Sequence, residues 1–295
     1  MSHSVCVGEV RRHSTLFLPD CEESLVRESV RWDPRQYAAY ADERARPFFE
    51  LMARVDVDDP AEVVDLGCGP GRLTATLLQR WPGARVVGVD SSADMIDEAG
   101  QHAVGERLSF ERADVSAWEP RGPVDIVVSN ALLQWVPGHL SLVSRVASWL
   151  RPGGVLAFQV PDNFGEPSHT LLRELRTSPR WRGKLGDGAD RSAGVERPET
   201  YLETLLGLGL SADVWQTTYL HVLPGEDAVL EWVKGTALRP VLSALGADED
   251  RRAFLADYAA ALRAAYPAQP WGTLFTFRRT FAVGRRGPAR HPAGS

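Results

Sequence analysis

Val63-Val64-Asp65-Leu66-Gly67-Cys68-Gly69-Pro70-Gly71 is the stretch around which the chain is organised. Its first residues form a short apolar run, the pattern of a buried strand. The chain then turns through three glycines and enters a helix, Arg72 to Arg80. Glycine at alternate positions permits a tight turn and leaves no Cβ to hold a ligand away. The helix behind the turn offers unpaired N–H groups and the positive end of its dipole. Together these features describe a nucleotide-type pocket at the carboxyl end of a strand. The dinucleotide fingerprint is not met, because Arg72 stands where its third glycine belongs. The phosphate-loop pattern ending in Gly-Lys-Ser/Thr is absent as well.

The next strand narrows the ligand. Arg85-Val86-Val87-Gly88-Val89-Asp90 is an apolar run ending in a carboxylate, 19 residues past Gly71. A carboxylate at that strand end can accept both hydrogen bonds of a ribose 2′,3′-diol. The competing reading makes Asp90 a helix cap, although Ser91 and Ser92 can cap the following helix equally well. Glycines at 67, 69 and 71 directly after Asp65 resemble the motif of class I S-adenosylmethionine (SAM) methyltransferases. That resemblance implies a Rossmann-like, doubly wound α/β fold with a mainly parallel seven-stranded sheet.

The remaining pattern is consistent with such a sheet. Asp33-Pro34 opens a helix expected to reach about Val55, with Tyr37, Tyr40, Phe48 and Leu51 as its apolar stripe and Arg44 and Arg46 on other faces. Strands are expected at Val63–Leu66, Arg85–Val89, Leu108–Arg112, Val124–Asn130 and Val155–Val160, with helices at 72–80, to about His102, and at 137–150. The Pro152-Gly153-Gly154 turn feeds the fifth strand. Helices between short apolar strands imply right-handed parallel crossovers. Residues 161–200 read as irregular and polar, followed by a helix at 199–208 and an extended stretch from Ala212 to Leu223. Glu226 to Tyr266 is helical by periodicity, and Thr273 to Val283 alternates as a last strand. Inserts at about 161–200 and 225–268, rich in Trp and Arg, suggest a helical lid over a second substrate.

Composition sets the outer bounds. The 295 residues fit one large domain, with 44% hydrophobic and 24% charged residues. A net charge of −6 and a pI near 5.7 give no basic excess for nucleic acid. No apolar run approaches a membrane span. Cys6, Cys21 and Cys68 lack metal spacing and disulfide density, which suits a reducing, cytoplasmic compartment. Residues 1–31 lack periodicity and the order of a signal peptide. Two readings of them stay open, a disordered extension or a start codon placed too far upstream, with Val30 as the alternative start. The domain then runs over 32–284, and 285–295 is expected to be a loose tail.

Stretches outside the SAM motif carry a narrower resemblance. They are Trp32-Asp33-Pro34 with Tyr37, Glu43-Arg44-Ala45-Arg46-Pro47, Gln79-Arg80-Trp81-Pro82, and Leu133-Gln134-Trp135 after Asn130. Further along come Pro161-Asp162-Asn163-Phe164, Glu166-Pro167 with His169, Trp215 with Thr217-Thr218-Tyr219, and Trp232-Val233 with Thr236 and Leu238-Arg239-Pro240. Over about 32–284 the chain resembles the trans-aconitate 2-methyltransferase family, departing from it at 176–197. The resemblance implies SAM-dependent methylation of one carboxylate of trans-aconitate, giving a monomethyl ester and S-adenosyl-L-homocysteine. It implies cofactor contacts from Asp65, Gly67, Cys68, Gly69, Gly71, Asp90, Ser91, Met95, Asp114, Val115, Asn130, Gln134 and Trp135. Asp114 would meet the adenine amine, with a turn aspartate as the competing reading. Asn130 would hold the methionine part or shape the methyl path, while Trp135 could equally be core.

A carboxylate acceptor is ionised at pH 7, so no general base and no metal is needed. Proximity and orientation carry the reaction. Holding a tri-anion calls for arginines. Arg239 leads, followed by Arg44, Arg46 and His169, with Trp232 in the same lid segment. A structural ion pair is the competing reading of Arg239. Rivals remain: methylation of another small acid or of a natural-product hydroxyl, the latter needing a base such as His169 or His221, and a SAM-binding protein without catalysis.

Overall fold

The computed structural model describes residues 41–185, 194–235 and 237–288. Expectations for 1–40, Thr236 and 289–295 lie outside them, as does the middle of the 176–197 departure. The first described helix, α1, is Ala41–Met52. The sheet strands are β1 (Glu62–Leu66), β2 (Arg85–Asp90), β3 (Leu108–Arg112), β4 (Val124–Asn130), β5 (Leu150–Pro161), β6 (Leu210–Leu223) and β7 (Thr273–Arg286). Their spatial order is β3-β2-β1-β4-β5-β7-β6. β1 through β5 pair in parallel, and β7 runs antiparallel to both β5 and β6. This is the expected doubly wound sheet, with one reversed strand.

Helices α2 (Arg72–Arg80), α3 (Ala93–Ala99) and α4 (His139–Trp149) follow β1, β2 and β4. The crossovers cover both sheet faces, which is why β1, β2 and β4 read as continuous apolar runs. One core packs Val64, Val87, Val127, Leu156 and Phe158 against α4. The opposite one packs Ile126, Val128, Ala157 and Phe281 against α1 and α2 through Phe48, Leu51 and Leu77.

Three expectations are corrected. Among the described residues, the irregular 161–200 stretch carries two unexpected helices, α5 (Pro167–Thr177) and α6 (Arg182–Leu185), while α7 (Pro198–Gly207) meets the helix expected at 199–208. Pro167 and Pro198 occupy first-turn positions, where a missing N–H costs nothing. The polar composition that suggested loops is the solvent side of these helices, while Leu172 and Trp181 are buried. The Pro-Gly-Gly segment does not precede β5 but lies inside it, as an irregularity in register between Val124 and Ile126 of β4. A Cβ at Gly154 would sit 2.9 Å from the Arg151 carbonyl oxygen, so only glycine fits there. Arg285 and Arg286 are not tail but the end of β7, paired with Val155 and Leu210.

The lid helices are α5, α6, α8 (Ala228–Lys234), α9 (Arg239–Ala244) and α10 (Asp248–Ala265). They enclose a third core of Trp181, Trp232, Phe254, Tyr258, Phe275 and Phe277. The last two belong to β7, so the sheet runs on into the lid. Trp181 Nε1 donates to Asp257 Oδ2 at 3.0 Å, joining α10 to the segment before α6.

Candidate active site

The glycine turn works differently from a simple donor cradle. Gly67 and Cys68 donate their amides to the Val89 carbonyl, at 2.8 and 3.1 Å. Gly69 donates to Asp90 Oδ2 at 3.0 Å. These N–H groups fasten the turn to the end of β2, and the glycines serve close approach instead. Gly67 has φ +75°, and a Cβ there would meet Leu132 at 2.8 Å. Gly71 has φ +77°, and a Cβ would meet Ala99 and the Phe110 ring at 2.8 Å. Cys68 is buried, which pushes its thiol up and keeps it inert.

Asp65 is 2% exposed at the carboxyl end of β1. Oδ2 accepts from Thr74 Oγ1 at 2.6 Å, whereas Oδ1 has no hydrogen-bond partner among the described residues. Burial raises this carboxyl to about 7, against the Thr74 bond and with help from the Asp90 charge. Buried Gln134 donates Nε2 to the Ala131 carbonyl at 2.6 Å, and its Oε1 likewise lacks a described partner. An orphaned buried acceptor costs about 1–3 kcal/mol. Two of them, one a carboxylate, fit a site that takes a cationic donor.

Asp90 accepts from Gly69 and, at 2.9 Å through Oδ1, from the Ser92 amide. Burial raises its carboxyl, and those backbone bonds oppose the rise. The helix cap itself is Ser92, whose Oγ accepts from the Met95 amide at 3.4 Å. Each carboxylate oxygen has a second lone-pair site, so Asp90 can still receive a diol. Ser91 is exposed beside it, and Met95 is a buried residue of α3. Asp114 is exposed and accepts from the Ser116 amide at 2.8 Å through Oδ1, the turn role. Val115 belongs to the core, and Trp135 is half-buried.

From Asn130 a polar row leads outward along one sheet face. Asn130 Oδ1 accepts from Gln159 Nε2 at 2.6 Å, and Gln159 Oε1 accepts from Arg279 Nη1 at 3.0 Å. Gln159 is fully buried and Arg279 is 7% exposed. The Arg279 guanidinium lies 4.6 Å over the Phe277 ring. Phe277 pairs in register with Tyr219, whose ring carries Arg46 at 4.9 Å. Glu50 of α1 accepts from Trp215, Thr217 and Tyr219. Burial raises its carboxyl, but those bonds and the Arg46 charge outweigh it and hold it below the ordinary range. Burial and the Glu50 bond push the Tyr219 hydroxyl up.

The expected acceptor residues are therefore split. Arg46 joins the row. Arg44 lies in α1, with its side chain outside those described. Arg239 begins α9 between core residues Leu238 and Val241, in the lid rather than on the sheet. Trp232 is buried 5.0 Å from the His221 ring and 5.7 Å from Phe277, which brings the lid to the row. His169 is lowered to about 4 by burial, then by the Arg173 charge, so it is neutral at pH 7. It would meet a carboxylate as an N–H donor, not as a cation. Arg279, Gln159 and Glu50 were missed from sequence. The signal for Arg279 was present in Phe277-Arg278-Arg279-Thr280-Phe281, where a charge takes a buried register position.

Comparison with known proteins fixes the family. A family model described as a methyltransferase domain matches residues 63–154. The trans-aconitate 2-methyltransferase of Streptomyces avermitilis is 54% identical over 261 residues, covering 86% of this chain and 97% of the relative. The enzyme of the same name from Mycolicibacterium gilvum is 49% identical, covering 86% and 98%. Among solved structures, the Bacillus subtilis YcgJ protein shares the fold at 14% identity and TM-score 0.54, covering 82% of this chain and 98% of that one. A Geobacter sulfurreducens SAM-dependent methyltransferase in complex with S-adenosyl-L-homocysteine does so at 20% identity and TM-score 0.50, covering 86% and 99%. With identity of this order spread over nearly the whole length of its relatives, the chain belongs to the trans-aconitate 2-methyltransferase family.

Proposed function

We propose that the protein methylates one carboxylate of trans-aconitate with SAM as the methyl donor. The observation that carries this reading is the joining of two features on one sheet face. A nucleotide site with two buried acceptors lies beside a polar row that ends in buried and exposed guanidiniums. When bound, SAM supplies an electrophilic methyl: the carboxylate oxygen forms the O–CH3 bond, the sulfonium C–S bond breaks, and sulfur keeps the electron pair. No proton changes hands.

The chain's own part is binding and orientation. Asp65 Oδ1 and Gln134 Oε1 suit the methionine ammonium. Asp90 suits the ribose diol, and Asp114 the adenine amine. Gly67 and Gly71 let Leu132, Ala99 and Phe110 pack directly against the turn, where a Cβ would collide with them. Asn130 is held in one rotamer by Gln159, which fixes the wall between cofactor and acceptor. His169, lowered to about 4, is a weak base, and the carboxylate acceptor does not require one. The lid core of Trp232, Phe275 and Phe277 supports a closed, water-poor acceptor site, where charge neutralisation between sulfonium and carboxylate is most favourable.

Within this proposal the substrate is a small polycarboxylate and the setting cytoplasmic. No described helix is long and apolar enough to cross a membrane. The test is methyl transfer from labelled SAM across trans- and cis-aconitate, citrate and small hydroxyl acceptors. A base-labile methyl ester formed fastest with trans-aconitate supports the reading. An ether product, or no transfer to any of them, would defeat it.

A further inference from the structure

We infer that Arg279, acting with Arg46, grips the substrate carboxylates that are not being methylated, and so sets the preference for a tricarboxylate. This inference rests on the proposed function.

Four observations converge on it. First, Arg279 is 7% exposed, and a guanidinium is rarely buried to that degree without a specific anionic or hydrogen-bonding task. Second, it is oriented. Gln159 receives Nη1 on one side, and the guanidinium carbon lies 4.6 Å over the Phe277 ring. A guanidinium fixed in plane is pre-organised for a two-point bond to a carboxylate. Third, its place relative to the cofactor is set by short links. Asn130, at the end of β4, bonds Gln159, and Gln159 bonds Arg279. Asn130, Gln159 and Arg279 share the face that carries Asp65, since the registers Asp65–Val128 and Gln159–Phe281 keep those side chains on one side.

The fourth observation is the second cation. Arg46 and Arg279 lie over Tyr219 and Phe277, which are directly opposed in the β6–β7 ladder. Rings in such a pair are near neighbours. Both guanidiniums act on the Tyr219 hydroxyl, each favouring its ionised form. Glu50 answers Arg46, with three hydrogen bonds fixing its carboxylate. A polyanion between the two guanidiniums would meet a cation on each side. Arg46 is exposed and Arg279 buried, so one carboxylate enters deep and another stays near the mouth. Gln159 is then a positioning residue that links the grip to the methyl-transfer wall at Asn130.

The test uses Arg279→Lys, Arg279→Gln and Arg46→Gln in the full chain, each with S-adenosyl-L-homocysteine affinity measured first. Losing one partner of a closed charge pair raises the KM for trans-aconitate by about 30-fold or more, with lysine giving little rescue at 279. Homocysteine-product affinity stays within threefold. Fumarate, itaconate and glutaconate each lack a different carboxylate of trans-aconitate and serve as competitive inhibitors. If Arg279 grips one carboxylate, the inhibitor lacking that group is unaffected by Arg279→Gln, while at least one other weakens strongly. A KM within threefold of wild type in both Arg279 variants overturns the inference. So does an equal weakening of all three inhibitors, or a parallel loss of product affinity, because each marks a merely structural role. Failure of the wild-type enzyme to esterify trans-aconitate removes the functional reading and this inference together, whereas wild-type turnover with unresponsive variants removes this inference alone.

Discussion

Replacing Asp65 by asparagine should move stability and cofactor affinity in opposite directions. In the free protein the carboxyl is raised from 3.8 to about 7, first by burial. A carboxyl whose folded value lies above its unfolded value binds more protons when folded, so its contribution is favourable at low pH and is lost as pH rises through about 7. At 1.36 kcal/mol per pH unit, the ionised group destabilises the free fold by on the order of 4 kcal/mol above pH 8. Asparagine removes that charge and keeps the Thr74 bond by accepting through its own oxygen. Its amide NH2 is left where Oδ1 stood, at a cost of about 1–3 kcal/mol. The variant should therefore be more stable than wild type at pH 8 by about 1–3 kcal/mol, and that advantage should shrink progressively as pH falls from about 7 toward 4. In the bound protein it forfeits a charge-assisted bond to the ammonium, about 1.5–3 kcal/mol, or roughly 10- to 150-fold in affinity. Calorimetric melts of the free protein at pH 5.5 and 8 test the first half, and titration with S-adenosyl-L-homocysteine tests the second. Unchanged affinity at pH 8, or a fall in the melting point there, would refute the reasoning. Wild-type affinity should itself weaken as pH falls below about 7, because binding requires the proton on Asp65 to leave.

Other outcomes follow from single contacts. Gly71→Ala forces a Cβ to within 2.8 Å of Ala99 and the Phe110 ring at φ +77°, so thermal melts should show a large loss of stability, and titration should show weakened product binding. Trp181→Ala opens the lid core and breaks the bond to Asp257, which should cost about 3–5 kcal/mol in urea unfolding, with trans-aconitate turnover lost before SAM affinity. His169 titrates near 4 when folded against 6.5 when unfolded, so its contribution is complete above pH 6.5 and is lost as pH falls toward 4. His169→Gln should flatten that acid limb of the stability curve, by up to about 3 kcal/mol at pH 4.

The sheet was legible because its strands are short apolar runs ending in punctuation, and both faces of β1, β2 and β4 are covered. β3, β4 and α2 fall where the pattern puts them. The cofactor side of the site was legible for the same reason: Asp65, the glycines and Asp90 sit at strand ends. The lid was harder. α5 and α6 are short and bury only a few residues each, so their polar sides dominate any window. The acceptor side was harder still, because it is assembled across strands. Arg279 reaches Gln159 over 120 positions of sequence, and Glu50 reaches Tyr219 over 169. No local spacing encodes such pairs. Resemblance drew attention to Arg239, which lies in a lid helix, while the charge on the sheet was hidden inside an alternating aromatic strand.

The central claim is methyl transfer to an already ionised carboxylate, without a base. It is tested most directly by single-turnover transfer from labelled SAM to trans-aconitate, with both ligands saturating, followed from pH 6 to 8. The account predicts a monomethyl ester formed at a rate that stays flat across this range, because neither the substrate nor a side chain must give up a proton for the chemical step. An ether product, or a rate that climbs about tenfold per pH unit over part of the range, would contradict it.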